Sequence, residues 1–475
     1  MQGKERFIPL NFHIFFDKLK IAKNMNHKFK KTILLLGDIF ILYSSLYLTL
    51  FLRYLEPVSL SKWQNHFWPF SFIFPVWIII FYISDLYNLH LAINNPDFFK
   101  RTIRASGIAS LLSIAFFYAD PYIQISPKTN LLIYVFVFIF LFILWRRFFN
   151  WSLKSYLPKN KIAFIGKNDL VNELINIFKK NPHLGIKVSL ITNDYEKQMD
   201  GIKTISDINN LDKDIKERNI NTIVLASDPH QSEKLRSALF KCLPLNISFI
   251  NISDFYENIT GKVPLNSLNK MWFLEKLSKE KKEWEILIKR FFDFLGALFL
   301  LFLTAPFWPL IAIIIKLESK GPVFIKMKRA GKNNKAFKML KFRSMREEGN
   351  QRTPTIKNDP RITKFGAFMR KTRIDEIPQI INILINDMSF VGPRPERPEL
   401  IKDLEKLIPF YNERTLVKPG VTGWDQVSGE YHSPSLEDSL KKLQYDLFYI
   451  KNRSLYLDLS IILKTIKTVL SRKGI

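Results

Sequence analysis

Apolar positions fall along this chain in three rhythms. Through residues 32–52, 67–84, 105–119 and 130–145 they run almost without a break. Runs near twenty residues suit a bilayer crossing; the short third run suits an interfacial segment as well as a span. From 161 to 252 the rhythm shortens: KIAFIG, IKVSLIT, NTIVLAS and NISFINI are strand-like, and DLVNELINIFKK, INNLDKDIKERN and SEKLRSALFKC between them are helix-like. Such alternation predicts a parallel, Rossmann-like sheet. A last long apolar run covers residues 291–317. Beyond it the chain is polar, with turn signals at Gly321-Pro322 and Gly331-Lys332-Asn333-Asn334 flanking short strands. Leu400, Leu404 and Leu407 predict an amphipathic helix within 396–415, and one or two more close the chain.

Basic residues decide how the apolar runs thread a membrane, because short cytoplasmic loops carry excess Lys and Arg. The N-terminal arm, the loop with Lys100, Arg101 and Arg104, and the segment with Arg146, Arg147 and Lys154 are basic; the intervening loops hold only Arg53, Lys62 and Lys128. Four spans with both ends cytoplasmic follow. Asp38 interrupts the first span and is expected to face the bundle interior. The 291–317 run differs. Lys289 and Arg290 precede it, Lys316 lies near its end, and Pro306 and Pro309 occupy its middle. Proline removes a backbone donor and kinks a helix. The run is therefore expected to enter the membrane, break at Ala305-Pro306 and return. Residues 272–290, mixing Trp and Leu with Lys and Glu, suit an interfacial helix. The expected organisation is a basic arm (1–31), a four-helix transmembrane bundle (32–150), a Rossmann-like domain (155–270) and a C-terminal α/β domain (280–475) with the re-entrant and interfacial helices.

Charge and composition narrow the partners. Lys and Arg number 71 against 43 acids, a net +28, which calls for polyanions. With 42 Phe and 47% hydrophobic residues, a membrane surface and phosphorylated ligands fit better than nucleic acid. The lone Cys242 excludes an internal disulfide framework. After Ile165 comes Gly166-Lys167-Asn168-Asp169, which lacks the glycine spacing of a dinucleotide site, so NAD is not expected.

The densest chemistry lies between Asp359 and Pro395. Asp375 and Glu376 are adjacent carboxylates, with Arg361, Arg370, Lys371, Arg373 and Arg394 around them in sequence. Neighbouring carboxylates that both ionise need a metal or cations, and clustered Arg and Lys suit phosphate. Lys341 and Arg343 fall on one side of a strand by period two. A solvated charged helix face would produce the same local composition.

DPRIT, then RKT-x-I-DE-IPQ, then DMSFVGPRPE, then KPGVTGW stand in order within residues 286–475, where the chain closely resembles the bacterial sugar transferases, the monotopic polyprenyl-phosphate phosphoglycosyl transferases that start polysaccharide assembly. The resemblance implies transfer of a sugar 1-phosphate from a UDP-sugar to polyprenyl phosphate, releasing UMP. It implies Asp375 as nucleophile, Glu376 as a Mg²⁺ ligand beside it, and a re-entrant hairpin broken at Pro306. Lys341 and Arg343 match a KFR-[ST]-M string near the family's active site; Arg361, Arg370 and Arg394 are phosphate-binding candidates, and Asp446 and Tyr449 match a pattern near the donor site. Trp424 and Tyr431 are candidate stacking residues for uracil or sugar. Departures stand at Arg373, where relatives have Ser or Thr, and at Glu430, where many have Arg. The implied place is the bacterial inner membrane, with the catalytic domain on its cytoplasmic face. The partners called for are the UDP-sugar, polyprenyl phosphate and membrane lipids, with a homodimer left open. A non-catalytic membrane scaffold is the alternative, and the intact acidic pair argues against it.

Overall fold

The structure is a computed structural model that describes residues 27–87, 94, 96–119, 127–155, 160–181, 185–192, 202–205, 207–265, 270–277, 283–346, 359–428 and 435–470. The basic arm before His27, and Glu430, Tyr431, Arg472 and Lys473, lie outside these residues. The chain divides into two compact units, Met1–Ile250 and Asn251–Ile475.

The first unit opens with four helices: α1 (His27–Tyr54), α2 (Leu60–Ile83), α3 (Pro96–Ala119) and α4 (Pro127–Ser155). Helices α1, α2 and α4 each contain a stretch long and apolar enough to cross a membrane. Helix α3 begins nine residues before the expected 105–119 run, because Pro96 and Asp97 form a favourable first turn that reads as loop in a hydropathy scan. Leu42, Trp77, Tyr134 and Phe138 fill the bundle core, where aromatic rings dominate. Asp38 does face the interior. Arg146 NH2 lies 2.5 Å from its Oδ2, and Trp145 Nε1 donates to its Oδ1 at 3.0 Å. Arg146, counted above among the loop charges, is fully buried and also donates to the Leu86 carbonyl at 2.7 Å. A buried acid needs such a partner to stay charged.

The same unit carries the sheet: β1 (Asn160–Ile165), α5 (Asp169–Lys180), β2 (Ile186–Thr192), β3 (Lys203–Ile205), α6 (Leu211–Arg218), β4 (Thr222–Leu225), α7 (Glu233–Cys242) and β5 (Ser248–Asn251). The strand order is β3-β2-β1-β4-β5, and the pairs β1–β2, β1–β4 and β2–β3 are parallel, as the alternation predicted. Strand β3 is too short to have stood out in sequence. Gly166 ends β1 at φ +98°, and a Cβ there would lie 2.0 Å from Ser227 Oγ. This glycine therefore packs the loop against its neighbour. Cys242 is buried on α7, where it packs as a small hydrophobe.

The second unit begins earlier than residue 280. Helices α8 (Ile252–Thr260) and α9 (Lys270–Leu277) belong to it. Lys451 bridges Asp254 and Glu257 at 2.9 and 2.8 Å, and Phe273 stacks on Phe410 at 4.0 Å. The 272–290 stretch is thus not one interfacial helix: its N-terminal part is packed into this core. Next come α10 (Glu283–Thr304), a 3₁₀ turn at Ala305–Phe307 and α11 (Trp308–Glu318). The break falls at Pro306, as expected. Both ends dock on one body. Arg290 donates to the carbonyls of Ile383 and Leu384 at 2.6 and 2.8 Å, and Glu318 accepts from Phe365 N–H at 3.0 Å. Between them Phe299, Phe302, Phe307 and Ile313 are exposed.

A hairpin follows, β6 (Phe324–Ala330) against β7 (Ala336–Phe342), antiparallel. Then come α12 (Lys364–Thr372), α13 (Gln379–Leu384), β8 (Ser389–Val391), α14 (Pro398–Leu407), β9 (Gly420–Thr422), α15 (Trp424–Val427), α16 (Leu436–Asn452) and α17 (Leu455–Leu470). Helix α14 is shorter than the expected 396–415 stretch and buries Ile401 instead of Leu400 or Leu407. Phe410, at φ +64°, turns the chain into a separate 3₁₀ segment, Tyr411–Leu416.

Candidate active site

The acidic pair sits on a turn that Arg373 creates. Thr363 caps α12 by accepting from Gly366 N–H at 2.9 Å, and the helix ends where Arg373 adopts φ +61°. A left-handed residue at this point ends a helix. The next three residues, Ile374–Glu376, form one 3₁₀ turn. Asp375 and Glu376 are both buried, at 7% exposure.

Their surroundings differ. Glu376 Oε1 accepts from Lys341 Nζ at 2.7 Å and Arg394 NH2 at 3.0 Å, with Arg373 NH1 at 3.7 Å. Burial works to raise its pKa, but Arg394, Lys341 and Arg373 together hold it well below the usual carboxylate range. Asp375 makes one ion pair among the described residues, to Lys341 at 3.8 Å from Oδ2, and accepts no hydrogen bond from any of them. Burial therefore wins there and raises its pKa; Glu376 adds to the rise, while Lys341, Arg370 and Arg373 oppose it. One carboxylate is the hub that gathers cations. The other is left ionisable and uncommitted.

Two backbone devices set the cations in place. Asn382 on α13 accepts from Leu340 N–H and donates to the Lys338 carbonyl, both at 2.9 Å, which straps β7 to α13 just before Lys341. Arg394 projects from the loop after β8. Gly392 allows that loop to pass β9, for a Cβ on it would meet the Lys418 carbonyl oxygen at 2.3 Å. Asn382→Ala is expected to leave two backbone groups unpaired and to lower stability by about 1–3 kcal/mol, read in a thermal melt. An unchanged melting temperature would remove Asn382 from this role.

Residues 284–472 match the family described as bacterial sugar transferase, and residues 83–252 match one described as a CoA-binding domain. A UDP-N-acetylgalactosamine-undecaprenyl-phosphate N-acetylgalactosaminephosphotransferase of Aeromonas hydrophila is 38% identical over 238 residues, 50% of this chain and 55% of that protein. A UDP-glucose:undecaprenyl-phosphate glucose-1-phosphate transferase of Xanthomonas campestris pv. campestris is 32% identical over 348 residues, 70% of both chains. The chain belongs to the bacterial sugar transferase family. An exopolysaccharide production protein of Rhizobium leguminosarum bv. phaseoli, 40% identical over 196 residues, is covered over 98% of its length by 40% of this chain. Together with its apolar helices, this makes the sugar transferase a membrane protein.

Not every residue singled out in the sequence reaches the acidic pair. Lys341, Arg370, Arg373 and Arg394 do, by contact or by charge. Arg343 does not: strand β7 ends at Phe342, the side chain is 1% exposed, and its NH2 donates to the Ser319 carbonyl at 2.7 Å, closing the C-terminus of α11. Arg361 is clamped on Asp359, with Nε–Oδ1 2.9 Å and NH2–Oδ2 2.6 Å. Asp446 and Tyr449, one turn apart on α16, support the Arg394 loop from beneath. Asp446 holds Arg414 at 2.7 Å, Arg414 donates to the Arg394 carbonyl at 3.1 Å, and Tyr449 OH shares its one proton between the Val391 carbonyl at 3.0 Å and Asp458 Oδ1 at 2.8 Å. Trp424 is a packing residue, stacked on Phe448 and donating to the Gly261 carbonyl at 2.9 Å. Sequence reasoning missed Asn382 and Arg414. A polar residue inside the apolar Ile380–Leu384 run was the available signal for Asn382; Arg414 carried none.

Proposed function

We propose that this sugar transferase moves a sugar 1-phosphate from a UDP-sugar to polyprenyl phosphate, giving polyprenyl diphosphate sugar and UMP, with Asp375 as covalent nucleophile. The observation that carries this reading is the inequality within the acidic pair: Glu376 is hydrogen-bonded by two cations, and Asp375 is buried with one long ion pair, to Lys341 at 3.8 Å. An Asp375 oxygen attacks the sugar-bearing phosphorus of the donor. The bond from that phosphorus to the bridging oxygen breaks, and UMP leaves with the electron pair. A phosphate oxygen of the lipid then attacks the same phosphorus, the aspartyl bond breaks, and Asp375 is regenerated as carboxylate. No net proton is taken up by the chain in either displacement. Two displacements at an acyl phosphate divide one hard transfer into two easier ones. Lys341, Arg370, Arg373 and Arg394 offset the negative charge of two phosphorylated substrates.

Asp375 and Glu376 offer hard oxygen donors on one turn, and no group of three His, Cys, Asp or Glu gathers among the described residues. That donor set fits Mg²⁺, which commonly takes one or two carboxylates and fills its remaining positions with water and substrate phosphates. When bound, the ion neutralises charge on the diphosphate and on departing UMP. The catalytic unit works at the cytoplasmic face of the bacterial plasma membrane, a reading supported by the basic loops and by the apolar hairpin whose two ends return to one body. Removing Arg146 from the loop count leaves Arg147 and Lys154 on that side.

The test is UMP release by the full chain in membranes, with Mg²⁺, undecaprenyl phosphate and a panel of UDP-sugars. Lipid-dependent UMP from one donor supports the reading; silence across the panel from folded protein overturns it. The pH profile adds a second check. Only ionised Asp375 attacks, so the rate falls as pH drops through its pKa. Because burial raises that pKa, the acid limb of kcat/KM is expected to lie above the position an ordinary aspartate would give. Lys341→Gln removes the nearest opposing cation and is expected to move the limb further up. A limb that stays put would separate Lys341 from Asp375.

A further inference from the structure

The catalytic unit contains a second cleft of about 380 Å³. Neither Asp375, Glu376 nor the four cations around them lines it. Its walls come from the first turns of α10, from the turn between β6 and β7, from β8, from the segment before β9 and from the α16–α17 junction.

The polar groups there are unevenly satisfied. Ser389 lines the cleft at 1% exposure, and its Oγ has no hydrogen-bond partner among the described residues. A buried hydroxyl left unpaired is costly, so a group that fills the cleft is expected to take it. Three acids line the cleft, Glu285, Asp293 and Asp458. Asp458 takes Lys289 at 2.6 Å and Tyr449 OH at 2.8 Å, and Asp293 accepts from Phe390 N–H at 3.2 Å. The cations are in excess. Arg453 and Lys332 line the cleft and make no hydrogen bond or ion pair with any described residue through their side chains. Lys418 beside them has its pKa lowered, by burial and then by the neighbouring Arg290 charge. Two free cations and an orphan hydroxyl, in a lining of five cations (Lys289, Arg290, Lys332, Lys418 and Arg453) against three acids (Glu285, Asp293 and Asp458), define an anion site.

The rim is apolar. Trp284 and Leu455 line the mouth at 53% and 42% exposure, and Tyr456 and Leu459 continue that exposed face along α17. Trp284 stands at the start of the helix that leads into the apolar hairpin, the depth at which Trp collects in membrane proteins. A ligand with an anionic head and apolar chains meets both demands.

We propose that this cleft binds the phosphate headgroup of a membrane lipid, with Arg453, Lys332 and Ser389 on the phosphate and the lipid chains against Trp284 and Leu455. The site is separate from the transfer chemistry. It ties the catalytic unit to the bilayer at the foot of its hairpin.

Native mass spectrometry of the full chain, released from a neutral detergent, tests this. The probes are phosphatidylglycerol, undecaprenyl phosphate and, as a phosphate-free control, dioleoylglycerol. A phosphate lipid is expected to be retained about tenfold or more over the control, as charge-assisted contacts imply. Lys332→Gln/Arg453→Gln is expected to erase that preference, and Arg453→Lys to keep most of it. Variant-sensitive retention of phosphatidylglycerol supports a bilayer lipid as the occupant; variant-sensitive retention of undecaprenyl phosphate alone would make the cleft an acceptor subsite and overturn its separation from the transfer chemistry. Equal retention of dioleoylglycerol, or undiminished phosphate-lipid retention in the double variant, overturns the proposal. Asp375→Asn is expected to keep the lipid whatever happens to UMP release, so this result stands apart from the transferase reading.

Discussion

Asp375→Asn is expected to lower UMP release by about 10⁴-fold, the scale on which removing a nucleophile acts. The amide has nearly the same shape as the carboxylate and keeps the turn, but it is neutral and a poor nucleophile. Glu376 is not placed to replace it, because Oε1 is held by Lys341 at 2.7 Å and Arg394 at 3.0 Å. A second readout separates chemistry from folding. With UDP-sugar present and the acceptor lipid withheld, the native chain should gain the mass of one sugar phosphate, and the asparagine variant should not. Wild-type UMP release by Asp375→Asn, or an adduct at another residue, would refute the assignment. Glu376→Gln should fail differently, since it loosens Lys341, Arg373 and Arg394 together.

Asp446→Ala is expected to be the most destabilising single change near the site. Asp446 is 1% exposed, and Arg414, held at 2.7 Å, is 3% exposed. Removing the acid leaves a buried guanidinium with a weaker set of partners, a cost of about 3–5 kcal/mol. A melting temperature lower by about 10 °C follows for a unit of this size. Activity should fall as well, because Arg414 also fixes the carbonyl of Arg394 at 3.1 Å and so the loop that reaches Glu376. Asp446 is a positioning residue on this account. The double replacement Arg414→Met/Asp446→Leu should therefore recover much of the stability and little of the activity. Recovery of both would show that the pair does not position the loop; an unchanged melting temperature in Asp446→Ala would show that the pair does not hold the fold.

Much of this architecture could be read from the chain because the signals are local. Continuous apolar runs announce α1, α2 and α4, and strand–helix alternation announces the parallel sheet. Two prolines within an apolar run flanked by basic residues announce the break at Ala305–Phe307. The same local logic misled where packing overruled it. Arg146 reads as a loop charge, yet its length lets it reach Asp38 inside the bundle. Residues 252–270 read as the tail of the sheet domain and 272–290 as an interfacial helix, yet Asp254, Glu257 and Phe273 find their partners on Lys451 and Phe410.

By itself the sequence determined which groups this protein has available: an adjacent acidic pair, a surplus of Lys and Arg, and apolar lengths matched to a bilayer. Adjacency along the chain is enough for that, because a turn keeps neighbours together. Only the tertiary structure decided which of those groups meet. Lys341 and Arg394, 35 and 18 residues from Glu376, converge on one of its oxygens. Arg343, two positions from Lys341, is turned away to close a helix. The reason is physical: an ionic contact acts over a few ångströms and depends on burial, and both are set by which elements pack together, not by spacing along the chain.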